Sequence, residues 1–86
     1  MNLDQLNMVD ARLTIQTAYA ALSGAQSAPP AQQVMAYAVL FFEACTVLRL
    51  DPSEMLDKAR RLHTNARDTI SIELGALHDY IQQELN

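Results

Sequence analysis

The feature that most constrains this fold is an uninterrupted run of nine apolar residues at positions 34–42. Apolar residues continue at helical spacing as far as Leu48, and Glu43 is the only charged residue before Arg49. A short apolar run is also compatible with a buried strand, but alanine and methionine are poor strand residues. The pattern therefore predicts a helix over 30–49 that has no polar face and has to be buried all round.

Little chain is available to cover such a helix. Eighty-six residues suffice for one domain, residues 1–86, and a domain this short buries only about 60% of its unfolded surface. Half of the residues are hydrophobic, which is at the top of the usual range. This apolar excess points to an additional buried surface, such as a subunit interface.

Capping residues predict where the other helices begin. Asn2 and Gln5 have the spacing of a capping box for a first helix that ends near Gly24. The Pro29-Pro30 pair then breaks the chain, and proline is acceptable at the first position of a second helix.

The third helix has the strongest start signal. Asp51 is a good N-cap, Pro52 occupies the first helical position, and Glu54 completes a capping box. Apolar residues then recur every three or four positions almost to the C-terminus. Weak helix formers near residues 64–68 favour a break there, with Asp68 capping a fourth helix.

The predicted fold is all-α, a small bundle of three or four helices, and the last two are one continuous helix in the alternative. The predicted helices cover about 3–24, 30–49, 52–64 and 68–85. Gly75 in the last segment suggests a close helix–helix approach. That segment also carries an apolar seam formed by Ile70, Leu74, Leu77, Ile81 and Leu85. Together with the all-apolar helix, the seam predicts self-association, for which a twofold dimer is the default.

Catalytic motifs are missing from the chain. His63 and His78 have no Glu, Asp or Cys three or four residues later that would build a metal-binding face. The single cysteine, Cys45, lies in the apolar run, where a buried small side chain is expected. No glycine-rich phosphate loop or nucleophile elbow is present. We therefore expect a binding protein, not an enzyme, with no metal or cofactor.

Positive charge is concentrated in the third helix, although the net charge is −4. The basic residues proposed to contact a partner are Lys58, Arg60, Arg61 and Arg67. One interpretation is an anion-facing patch for nucleic acid or an acidic protein. The other is that these residues stabilise the end of their helix and pair with Glu54 and Asp57.

Residues 45–56 resemble the turn of a helix-turn-helix unit, in which a leucine and a polar N-cap precede the recognition helix. The resemblance covers about twelve residues and implies a DNA-binding regulator that uses residues 44–67. Arg49 stands where the motif favours glycine. Glu54 and Asp57 place carboxylates where DNA phosphates would lie.

The N-terminal residues have neither the basic nor the apolar region of a secretory signal. The nine-residue apolar run is shorter than the roughly 20 residues that span a bilayer. We therefore expect a cytoplasmic protein without membrane contact. The function predicted from the sequence is that of a small regulatory or adaptor protein, which binds itself as a homodimer and also an unidentified protein.

Overall fold

The computed structural model describes residues 1–86 and contains helices but no strands. The five helices are α1 (Leu3–Asn7), α2 (Ala11–Gly24), α3 (Pro30–Leu48), α4 (Pro52–Thr69) and α5 (Ser71–Glu84). The prediction of a small all-α bundle is confirmed, with one helix more than the three or four expected.

The predicted first helix is divided in two. The capping box of Asn2 and Gln5 is present as predicted. A second N-cap follows at Asp10, whose carboxylate accepts a hydrogen bond from the backbone N–H of Leu13 at 2.9 Å. Aspartate competes well for free backbone donors, so the chain restarts as α2 at Ala11. The prediction of one continuous helix over 3–24 is therefore wrong.

Helix α3 ends in a turn that is normally built with glycine. Arg49 adopts the left-handed conformation, with φ 57° and ψ 47°. The N–H of Leu50 donates to the carbonyl of Cys45 at 2.8 Å, and the N–H of Arg49 donates to that of Thr46. These two hydrogen bonds form a Schellman motif, so backbone hydrogen bonds cap the C-terminus of α3.

Helix α4 starts at Pro52 as predicted, but its cap differs in detail. The carboxylate of Asp51 accepts from the N–H of Ser53, and no capping box with Glu54 is formed. The helix then continues through residues 64–68 to Thr69, so the break predicted there is wrong. The hydroxyls of Thr64 and Thr69 donate to carbonyls four residues earlier, which satisfies these weak helix formers inside the helix.

The break occurs at Ile70, whose φ of −136° and ψ of 49° lie outside the helical region. Its N–H still donates to the carbonyl of Ala66, and its carbonyl accepts from Leu74. The hydrogen-bond ladder is therefore almost continuous across the kink, which explains why the apolar spacing does not reveal it. Asp68 does not cap α5, which has no side-chain cap.

The core is formed by α2, α4 and α5, which pack against one another in pairs. Ile15, Ala66 and Ile70 are buried at its centre, and three half-buried side chains pack around them: Ala11, Leu74 and Leu77. A Cβ atom added to Gly75 would meet nothing within 4 Å. The close helix approach predicted at Gly75 is therefore wrong.

Helix α3 lies outside this core. Only 11% of its most apolar 18-residue window is buried, so the other helices of the chain leave most of this predicted apolar helix uncovered. The total accessible surface is 6487 Å², whereas a folded monomer of 9.6 kDa is expected to expose about 5,100 Å². The chain thus exposes more surface than its mass requires, and seven of its sixteen exposed large hydrophobic residues lie on α3.

Candidate association surface

One narrow stripe of α3 faces the rest of the molecule. It consists of four residues spaced four apart that are buried or half-buried: Gln33, Tyr37, Phe41 and Cys45. Cys45 is a free, buried cysteine, as the sequence predicted. Gln33 donates from Nε2 to the carbonyl of Ala28 at 2.6 Å, which holds the start of α3 against the preceding loop.

The opposite side of α3 is an open apolar groove, which we call the α3 groove. It is lined by Gln32, Met35, Ala36, Val39, Leu40 and Glu43. Met35, Val39 and Leu40 are each about 60% exposed or more, with values of 63, 59 and 66%. Large apolar side chains exposed side by side are typical of protein–protein or membrane interaction sites.

The α3 groove carries little charge. Glu43 is its one ionisable residue, and it lies at one end of the groove, while Gln32 lies at the other. Covering the four residues between them would therefore desolvate no charged group, and the burial of an unpaired charge is costly.

Helix α3 is also the one helix whose length and hydropathy would suffice to cross a membrane, with a mean hydropathy of 1.4 over the window. A single helix of this kind is weak evidence for a membrane protein. A mostly buried core helix of a soluble protein can meet the same criteria, but only 11% of this window of α3 is buried.

The seam predicted for self-association is used mostly within the chain. Ile70 is buried in the core, and Leu74 and Leu77 pack against it. Ile81 is 42% exposed, and together with Leu85 it lines a groove beside Val34 of α3. Only the C-terminal end of the seam is thus open, and it adjoins the exposed part of α3.

The four basic residues of α4 do not converge on one site. Lys58 and Arg61 line a cleft of about 270 Å³ between α4 and α1, where the Lys58 ammonium donates to the side-chain oxygen of Asn7. Arg60 instead forms an ion pair with Asp57 at 2.8 Å, one helical turn away. This ion pair is of the kind expected if the charges stabilise their own helix.

Arg67 lies at a different groove, between α4 and α5. His63 and His78, fifteen residues apart in the chain, both line this groove with Arg67. The sequence did not predict that His63, His78 and Arg67 line one groove. Their proximity depends on the kink at Ile70, for which the sequence pattern carries no signal. No group of three or more His, Cys, Asp or Glu side chains is placed to hold a metal ion.

The helix-turn-helix resemblance concerns the connection between α3 and α4. The chain leaves α3 through Arg49 in the left-handed conformation and enters α4 at Pro52, so a short connection joins the two helices. Glu54 and Asp57 are exposed on the first turns of α4. Both carboxylates lie on the part of the helix that would approach DNA phosphates.

In comparisons with known proteins, no family model, curated protein or solved structure matches the chain.

Proposed function

We propose that this chain is a non-enzymatic regulatory or adaptor protein that works as a homodimer joined through α3. The observation that carries the proposal is the exposure of the α3 groove on an otherwise folded domain. The accessible surface exceeds that expected for the mass by about 1,400 Å². A stable interface removes about 800 Å² from each partner, so a dimer would account for more than half of the excess.

A lipid bilayer is the other environment that could cover α3, and two observations favour protein. The stripe from Gln33 to Cys45 packs against the rest of the chain, so lipid could not surround the helix without separating it from the domain. Glu43 also lies within the helix, and a carboxylate in the hydrocarbon core is costly. We therefore propose a cytoplasmic protein that does not enter the membrane.

Light scattering at micromolar concentration tests the dimer. The expected mass is twice the 9.6 kDa of one chain. The Leu40→Glu variant, which places a carboxylate in the α3 groove, should scatter as a monomer. Ile72→Glu is the matched control, because Ile72 is 84% exposed on α5 and should leave the dimer intact. A monomeric native chain, or equal effects of both variants, would contradict the proposal.

The cleft formed by Lys58 and Arg61 is the surface that we propose for an outside partner with acidic side chains. Neither residue forms an ion pair within the chain, so both charges are available to carboxylates. A partner captured from native lysate by the wild-type protein should be lost with the double variant Lys58→Glu and Arg61→Glu. Capture that is unchanged in this variant would place the partner elsewhere.

A DNA-binding regulator that uses residues 44–67 is the second candidate, and the short turn at Arg49 favours it. If this candidate is right, the protein should shift duplex DNA with a steep salt dependence. The double variant Arg60→Glu and Arg61→Glu should then abolish the shift. Absence of any shift at low salt would remove this candidate.

A further inference from the structure

The α3 groove has the same pattern of side chains when it is followed from either end. It begins and ends with a polar residue, Gln32 at one end and Glu43 at the other. Inside these lie the long side chains of Met35 and Leu40, and Ala36 and Val39 are nearest the centre. The groove is therefore nearly palindromic in size and polarity. Such a surface is suited to a copy of itself related by a twofold axis perpendicular to the helix.

We propose, on the basis of the function proposed above, that two α3 helices pack antiparallel with their grooves in contact. The twofold axis is perpendicular to the helices and crosses them at a height midway between Tyr37 and Ala38. Gln32 then lies beside the partner's Glu43, Met35 beside the partner's Leu40, and Ala36 beside the partner's Val39. Each of these pairs occurs twice in the dimer. The recognised partner is thus a second copy of this chain in one defined register.

Packing supports this register. Gln32, Ala36, Val39 and Glu43 follow one another at spacings of four, three and four residues, which is the seam spacing of helices packed at a shallow angle. The small side chain of Ala36 allows the two helices to approach, and the partner's Val39 fills the space above it. Met35 and Leu40 then cover the flanks of the interface.

Charge distinguishes this arrangement from a parallel one. In a parallel pair with the axis along the helices, Glu43 would lie beside the partner's Glu43, and two carboxylates would be brought together at an apolar surface. In the antiparallel pair, the side-chain amide of Gln32 can donate a hydrogen bond to the partner's carboxylate. The single acidic residue of the groove is then satisfied at both ends of the interface.

A charge introduced at position 32 should interact with the partner's Glu43 and not with Glu43 of its own chain. Gln32 and Glu43 of one chain are separated by eleven residues, or about 16 Å along a helix. That separation is twice the screening length of about 8 Å at physiological ionic strength. Gln32 also lies in the first turn of α3, where the helix dipole favours a negative charge. A negative charge at position 32 should therefore stabilise the folded chain, whereas it should weaken the dimer.

The experiment compares dimer dissociation constants by sedimentation equilibrium for Gln32→Lys and Gln32→Glu in the full chain. The lysine variant should dimerise more tightly and the glutamate variant more weakly. We expect about a tenfold difference in Kd, because each surface charge pair occurs twice. Combining Gln32→Glu with Glu43→Lys should restore the affinity, since the two charges are again opposite across the interface. Gln16→Lys and Gln16→Glu are the matched controls, because Gln16 is exposed on α2.

The possible failures are distinguishable. A dimer whose Kd responds equally to charge at positions 32 and 16 would overturn the register and leave self-association in place. A native chain that stays monomeric would overturn both the register and the proposed function. In that case, co-flotation of the native chain with vesicles of neutral lipid would assign α3 to the membrane.

Discussion

The rings of Tyr19 and Tyr80 meet edge to face, with their centroids 5.1 Å apart and their planes inclined at 62°. This contact joins α2 to the C-terminal part of α5. The hydroxyl of Tyr80 also donates to the side-chain oxygen of Gln26 at 3.3 Å, so the same tyrosine holds the loop that leads into α3. The pair thus connects α2 and α5 to the loop that precedes α3.

Removal of the Tyr19 ring should destabilise the protein. We expect Tyr19→Ala to lower the free energy of unfolding by about 1 kcal/mol or more, because it removes an edge-to-face pair and its apolar contact. Urea titration followed by circular dichroism measures the change. Tyr19→Phe keeps the ring and should be almost neutral; equal losses for both variants would show that the ring pair contributes little.

Ala66 should not tolerate a larger side chain. It is fully inaccessible to solvent and packs with Ile15 and Ile70. Ala66→Leu should therefore cost about 1–3 kcal/mol by overpacking. The control is Ala59→Leu, at an exposed position of the same helix, where alanine and leucine have similar helix propensities. A tolerated leucine at position 66 would mean that the core is looser than the structure shows.

Glycine in place of Arg49 should stabilise the protein. Arg49 is the one residue with a positive φ, and the left-handed conformation costs a residue with a Cβ about 1 kcal/mol. Arg49→Gly should raise the free energy of unfolding by most of this amount at equal protein concentration. Arg49→Ala removes the same charge but keeps the Cβ, so it should bring no such gain. A similar gain from alanine would assign the effect to charge.

The hydroxyl of Tyr37 should be dispensable for stability. It is buried and has no hydrogen-bond partner, and an unpaired buried polar group costs about 1–3 kcal/mol. Thermal unfolding of Tyr37→Phe should therefore show an unchanged or higher Tm. Tyr80→Phe is the contrasting variant, because it loses the bond to Gln26 and should lower the Tm. A destabilised Tyr37→Phe would indicate that the hydroxyl is paired in solution.

Features that depend on neighbouring residues were predictable from the sequence. Asn2 with Gln5, Pro30, and Asp51 with Pro52 mark helix starts, because a capping side chain or a proline acts on backbone groups within one turn. The prediction failed where two local signals compete. Asp10 can continue a helix or start one, and Thr64 and Thr69 can end a helix or bond back into it.

The sequence by itself determined an all-helical chain with one helix apolar on every side. Only the tertiary structure decided where that apolar surface lies. It put Ile70, Leu74 and Leu77 into the core and left Val39 and Leu40 outside it. The physical reason is that the hydrophobic effect favours the burial of apolar surface but does not specify which surface covers it. Whether an apolar face is covered by its own chain depends on how many helices can reach it, and here α2, α4 and α5 already cover one another.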